Sequence, residues 1–343
     1  MKRQTATSDT PSGMAASNPA LFVSWWEFHG RSHGLAEQVG AEDVYVWRPG
    51  GNLVLRYLRQ WRDTARLLRE RRPAVVLVMQ PPPVALLPVL AYARRSGAKI
   101  AGDLHTGAFN DPKWAWSTRW VLSRLRRHGL VIVTNEALKR IAEQQGCQAV
   151  AVHDSLDETR LPADVEVFDD AGLATLPEGG YAVFPLAYAG DEPIAQIFAA
   201  AALLPQVPFA LTGRAPQALQ AQAPANVRFT GYVTNDDLAR LIGRAGCVVG
   251  LTTREYTMQR SGYEALSLGV PLVVSGTRVL REYFADAAIF VENEAAAVAA
   301  AIEEALSRRA ELAERMVRLR AVRAEEQRQA VLEIKRWIES VTA

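Results

Sequence analysis

Short, almost continuously apolar runs alternate with helical stretches along this chain, in two rounds separated by an acidic gap. The first-round runs are Leu21–Trp25, Val44–Trp47, Ala74–Met79, Lys99–Gly102, Leu130–Thr134 and Ala149–Val152. A run such as AVVLVM at 74–79 shows no polar alternation, which is what a parallel strand covered by helices on both faces requires. Residues 154–180 are acidic, contain Pro and Gly and lack sustained periodicity, so an interdomain linker is expected at 165–180. The alternation restarts at Tyr181–Pro185 and continues through Pro208–Thr212, Val227–Thr230, Cys247–Leu251, Leu272–Ser275 and Ala288–Val291. After Glu294 the pattern is almost all helical. The expected fold is α/β, with Rossmann-like doubly wound parallel sheets at 20–164 and 181–320. A C-terminal helix at 321–343 is expected to pack back on the first domain. A chain of 343 residues suits two domains of roughly 150 residues each.

The composition excludes disordered, collagen-like and rod-like chains, since 49% of residues are hydrophobic and 22% charged. Residues 1–19 lack an apolar core of the leader type and are expected to be a disordered tail. The longest apolar run, Val75 to Ala93, is interrupted by Gln80 and Pro81-Pro82-Pro83. A spanning helix would not carry that interruption, so the run reads as strand, loop and helix. Cys147 and Cys247 form neither a disulfide framework nor a zinc spacing, which fits a reducing compartment. The expected location is cytoplasmic.

Charge is divided unevenly. Residues 1–164 hold 22 basic and 15 acidic side chains, and residues 165–343 hold 17 and 22. Such asymmetry suggests an anionic partner for the first half. The helix expected at 53–71 places Val54, Leu58, Trp61, Ala65 and Leu68 on one face, the face expected to be buried, beside a stripe of Arg56, Arg59, Arg62, Arg66 and Arg69. A Trp-rich helix is expected at 114–127, within the segment KWAWSTRWVLSRLRR at 113–127. Together these suit an anionic membrane surface, and hence a peripheral position on the inner face of the membrane. The plainer reading, Trp in the core and Arg in solvent, has equal standing. No recognition motif accompanies the basic residues, so nucleic acid is not an expected partner.

In open α/β sheets, ligands bind beyond the carboxyl ends of strands, so the residues there are the site candidates. After the first strand come Gly30, Arg31, Ser32, His33 and Gly34, a glycine-containing turn leading into a helix whose amides suit an anion. After the fourth come Asp103 and His105, a carboxylate and an imidazole able to share proton handling. In the second round, Gly213 and Arg214 suit a diphosphate, with close backbone approach and a bidentate guanidinium. The longest polar block runs through Thr252, Thr253, Arg254, Ser261, Gly262, Tyr263 and Glu264, then a Gly-Val-Pro turn. Its helix amides suit phosphate and Glu264 suits ribose hydroxyls. No Asp-x-Asp and no His/Cys cluster occurs, so no metal is expected at the site and no cofactor is assigned. Arginine and helix dipoles would then offset diphosphate charge.

These blocks, in this order, resemble GT-B nucleotide-sugar glycosyltransferases. Gly250–Ser275 is similar to the donor-binding signature of glycosyltransferase family 4. Gly30-Arg31-Ser32, Gln80-Pro81-Pro82, Asp103-x-His105, Asp191-Glu192 and Thr212-Gly213-Arg214 lean toward the β-mannosyltransferase that acts on chitobiosyl-diphosphodolichol. The resemblance covers about residues 21–305. It implies transfer of a hexose from a nucleotide diphosphate sugar, bound by the second domain, to a glycan or lipid-linked acceptor at the first. It departs from family 4 at Tyr256, where the first of two glutamates usually stands. It departs again at 186–196, where the usual basic clamp is missing and Arg214 or Arg254 is the available substitute. The membrane anchor of the eukaryotic mannosyltransferase is not recognisable. Retention would let the leaving diphosphate assist attack, whereas inversion would need a base, His105 or Asp103. A nucleotide-sugar epimerase and a non-catalytic nucleotide- or glycan-binding protein are the other readings.

Overall fold

The computed structural model describes residues 20–154, 156 and 176–342. The expected tail at 1–19 and most of the expected linker lie outside them. The first sheet is built from β1 (Ala20–Ser24), β2 (Glu42–Tyr45), β3 (Val75–Gln80), β4 (Lys99–Leu104), β5 (Gly129–Val133) and β6 (Gln148–Ala151). Between them run α1 (Gly30–Val39), α2 (Leu53–Arg71), α3 (Leu86–Ser96), α4 (Thr106–Asn110), α5 (Pro112–Ala115), α6 (Thr118–His128) and α7 (Glu136–Gln144). The strands are all parallel, in the order β2-β1-β3-β4-β5-β6.

The second sheet holds β7 (Ala182–Phe184), β8 (Phe209–Thr212), β9 (Val227–Gly231), β10 (Cys247–Gly250), β11 (Leu272–Ser275) and β12 (Ala288–Val291). Its helices are α8 (Ile194–Leu203), α9 (Gln217–Gln220), α10 (Asn235–Gly243), α11 (Arg260–Leu268), α12 (Arg278–Phe284), α13 (Ala295–Ser307) and α14 (Arg309–Thr342). The strand order is β12-β11-β10-β7-β8-β9, again parallel throughout.

Each sheet reverses its winding once, between β1 and β3 in the first and between β7 and β10 in the second. At such a reversal the connections leave to opposite faces and open a crevice at the strand ends. The chain therefore has two crevices, one in each sheet. The central strands are buried on both faces, as their uninterrupted apolar runs require. Val331, Ile334 and Ile338 of α14 sit in the same core cluster as Phe22, Leu77 and Ile132. The last helix thus starts beside the second sheet and ends in the core of the first.

Two local expectations are corrected. The Trp-rich helix is broken at Ser117 into α5 and α6, with Trp116 exposed and Trp120 packed against the core. In α2 the apolar face points outward, and only Leu68 of the five residues expected inside is buried. The inward positions are Tyr57, Gln60 and Thr64. Gln60 donates to the carbonyls of Trp25 and Val46, at 3.2 and 2.7 Å. Thr64 accepts from the Trp25 indole at 2.8 Å, and Tyr57 lies against the Trp25 ring. Carbonyls at the ends of β1 and β2 need donors, and that need outweighs the hydrophobic periodicity.

Candidate active site

The N-terminal wall is organised around Asp103, which is fully buried at the end of β4. Its Oδ2 is 2.9 Å from His105 Nε2, and its Oδ1 is 3.4 Å from the Arg31 guanidinium. Burial opposes its charge, but His105, Arg31 and His29 outweigh this and hold the carboxyl ionised well below the usual range. Arg31 is itself enclosed: it donates to the Val152 carbonyl at 2.7 Å and pairs with Asp154 at 3.3 Å. The ring of His29 meets that of His105 edge-on at 4.6 Å. Burial, with the charge of His105 next, lowers the pKa of His29 to about 4, so it is neutral at pH 7. His29 also caps α1 by accepting from the Ser32 amide.

The turn after β1 is therefore only partly open to a ligand. Ser32 is buried and His33 pairs with Asp43 at 2.9 Å. Gly30 faces open space, and it lines the cleft together with Gly34. The guanidinium of Arg31 serves the dyad as an internal counter-charge, a role that sequence spacing alone does not show.

The C-terminal wall forms at the second crevice. Asp191, in the loop after β7, accepts from the Thr252 hydroxyl at 2.8 Å and pairs with Arg254 at 3.2 Å. Its carbonyl accepts from the Thr253 amide at 2.9 Å. The turn after β8 packs on the other side of that loop. Gly213 has φ +86°, and a Cβ there would overlap the Leu186 carbonyl, so glycine is required. Beside it, Tyr188 holds φ +55° and its buried hydroxyl has no hydrogen-bond partner among the described residues. Arg214 lies over the exposed ring of Tyr232. The turns at Gly213–Arg214 and Thr252–Arg254 thus flank one loop, as the order β10-β7-β8 dictates.

Within α11 the candidates divide. Its first turn has no side-chain cap; the Gly262 amide bonds the Gln259 carbonyl at 3.0 Å, and the amides of Arg260 and Ser261 ahead of it are those a ligand could use. Ser261 is packed against Gly250, and the space a side chain would need at Gly262 is filled by the Phe284 ring. Tyr263 is buried and bonds His153 at 2.9 Å. Glu264 pairs with Arg260 at 3.0 Å and lines the cleft. Of the candidates in α11, Ser261, Gly262 and Tyr263 hold the helix in place, and Glu264 faces the cleft.

The walls meet at residues 255–256. Tyr256 has φ +63°, a left-handed conformation that is strained for a bulky side chain. Its carbonyl accepts from Asn135 at 2.9 Å and from the Thr106 hydroxyl at 3.4 Å, while the Glu255 carbonyl accepts from Asn110 at 2.6 Å. The loop from the second crevice is thereby bonded to the segment that begins one residue after His105. Between the two domains lies a cavity of about 740 Å³, lined by Gly30, Arg31, His33, Asn235, Arg260 and Glu264 among others; Asp103, His105 and the turns at Gly213–Arg214 and Thr252–Arg254 are not part of its lining. A second cavity of about 840 Å³ lies between α7, α12 and α14. Several of its charged groups pair with one another, Arg140 with Glu282, Lys139 with Glu136 and Arg323 with Glu326.

Sequence reasoning did not single out Asp191 as an organiser, nor His29, Asp154, Asn135, His153 and Tyr188. The His153 ring lies tilted against that of Tyr283 at 4.3 Å, and its backbone exchanges two hydrogen bonds with Gln327 of α14. The readable signal was position, because each of these residues stands in the loop that follows a strand.

Residues 23–154 match the glycosyltransferase family 4 domain, and residues 192–308 match the domain of glycosyl transferases group 1. No curated protein sequence matches significantly. Anabaena HepE in complex with UDP and glucose superimposes with a TM-score of 0.69 at 15% identity, over 94% of this chain and 99% of that one. A glycosyltransferase from Rickettsia africae gives 0.71 at 12% identity, over 93% and 98%. A Listeria monocytogenes protein named as a UDP-N-acetylglucosamine 2-epimerase gives 0.64 at 11% identity, over 92% and 95%. The finer likeness to the β-mannosyltransferase rests on its short motifs alone. The chain thus pairs a match to a family 4 glycosyltransferase domain with a match to a group 1 glycosyltransferase domain, on the two-sheet architecture of the GT-B fold.

Proposed function

We propose that the protein transfers a hexosyl group from a nucleotide diphosphate sugar to a glycan or lipid-linked acceptor, in the making of cell-surface polysaccharide or glycoconjugate. The observation that carries this reading is the juncture at Tyr256, which bonds the Thr252–Gln259 loop to Asn135 and to Thr106, the residue after His105. A donor at the second crevice would then present its sugar to a buried acid–imidazole pair. The HepE complexes with UDP and glucose support a uridine nucleotide as the first donor to test.

In this mechanism His105 is the base. Asp103 fixes its Nε2 side and leaves Nδ1 to accept a proton. The acceptor hydroxyl loses its proton to His105, its oxygen bonds to the anomeric carbon, and the nucleoside diphosphate leaves. Configuration inverts. Tyr256 in place of the family glutamate departs from the donor signature of the retaining family, and inversion is the course that gives the Asp103–His105 pair a task. Diphosphate charge is met without a divalent ion, by the amides of α11 and by Arg214 and Arg254. Tyr188 offers its hydroxyl as a further donor beside Gly213.

The test is donor turnover with product analysis, using UDP- and GDP-hexoses with and without acceptor. His105→Ala is expected to lose about 100- to 10,000-fold in turnover while keeping nucleotide binding. Full activity of that variant would remove His105 from the mechanism.

A further inference from the structure

The outward face of α2 has no partner among the described residues. Val54 is 65% exposed, Leu55 54%, Leu58 55% and Trp61 40%. Along the helix, Val54, Leu58 and Trp61 share one stripe, and Arg59, Arg62, Arg66 and Arg69 border it on the side away from the core. The acids of this helix are neutralised locally, Asp63 by Arg48 and Glu70 by Arg66. An apolar stripe edged by exposed arginines matches one kind of surface, the acyl–headgroup boundary of an anionic bilayer. A protein partner of ordinary composition would leave most of these guanidinium groups without counter-charges.

The placement of the stripe is as telling as its chemistry. In a parallel sheet every helix begins at the carboxyl end of the strand before it, so the Val54–Trp61 half of α2 lies at the cleft end of the domain. Tyr57 and Thr64 touch Trp25, and the next residue, Trp26, is 49% exposed. We infer that α2 docks the protein on an anionic membrane, with Val54, Leu58 and Trp61 entering the interface and the arginines on the headgroups. Docked in this way, the first crevice opens toward the bilayer surface. This deepens the proposed function by favouring an acceptor carried on a lipid, but the docking itself does not depend on catalysis.

The test is co-sedimentation of the full chain with vesicles of phosphatidylcholine alone and of phosphatidylcholine with phosphatidylglycerol at about three to one. Binding only to the anionic vesicles is expected, weakening at least tenfold between about 0.1 and about 0.5 M salt. Leu58→Glu/Trp61→Glu and Arg59→Gln/Arg62→Gln/Arg69→Gln should each bind at least tenfold more weakly, with unchanged circular dichroism and thermal midpoint. All these positions are exposed, so folding should not depend on them. Absence of vesicle binding by the unmodified chain, or equal binding by both variants, would overturn the inference. So would a dimer in light scattering that Leu58→Glu/Trp61→Glu dissociates, because the face would then belong to a second copy. Turnover on a soluble acceptor does not enter the result, so failure here is separable from failure of the proposed reaction.

Discussion

Replacing Asp103 with Asn changes charge and leaves shape almost intact. The carboxylate is fully buried and faces both the His105 imidazole and the Arg31 guanidinium, whose side chain is only 7% exposed. Removing one partner of a buried pair costs about 3–5 kcal/mol, mostly from the charge left behind. Arg31 retains Asp154 and the Val152 carbonyl, which places the expected loss at the lower end, about 3 kcal/mol. Denaturant unfolding of Asp103→Asn, Arg31→Met and the double variant at pH 7 measures it as a coupling energy. A coupling of about 2 kcal/mol or more is expected. The folded pKa of Asp103 is depressed, so its contribution is complete above the unfolded value near 3.8 and fades as pH falls through the lower folded value. The gap between the native chain and Asp103→Asn should therefore stay constant, as far as Asp103 is concerned, from pH 8 to about 5, and close in acid. A coupling below about 0.5 kcal/mol would refute the claim that Arg31 is the counter-charge of the dyad.

Burial, with Arg31 and Arg323 next, lowers the pKa of His153 to about 3, so protonation favours the unfolded chain between that value and 6.5. Thermal midpoints should decline as pH falls below about 6.5, and His153→Phe should flatten the decline. Asn135 caps α7 through its contact with the Leu138 amide and also donates to the Tyr256 carbonyl. Asn135→Ala should cost about 2 kcal/mol in unfolding experiments, more than a cap alone. Gly213→Ala forces a Cβ against the Leu186 carbonyl at positive φ, and should abolish nucleotide-induced stabilisation while costing about 1–3 kcal/mol.

Parallel strands covered on both faces announce themselves as unbroken apolar runs, so the two rounds of strands could be read directly. The Asp103–His105 pair could be read as well, because both residues stand at a strand end and two positions apart. What the sequence hid was long-range satisfaction of polar groups. Nothing local shows that Gln60 and Thr64 serve the chain around Trp25, and so the apolar face of α2 was expected inside. Arg31 looked like a ligand-binding cation because its partners Asp103 and Asp154 lie 72 and 123 residues away. Gly262 looked like a phosphate-binding glycine, yet its missing side chain makes room for Phe284. Each misreading follows from a contact made by a distant segment of the chain.

Whether the second crevice holds a nucleotide donor without a divalent ion is measured by a thermal-shift titration of the intact protein with UDP, GDP and their hexose conjugates, in the presence of EDTA. A ligand at a hundred times its dissociation constant stabilises by about 2.7 kcal/mol, which for a domain of this size amounts to about 5 °C or more. Such a shift is expected for at least one nucleotide diphosphate, retained in His105→Ala and lost in Gly213→Ala. If none of these nucleotides moves the midpoint, or if Gly213→Ala responds like the native chain, the second crevice is not a donor site.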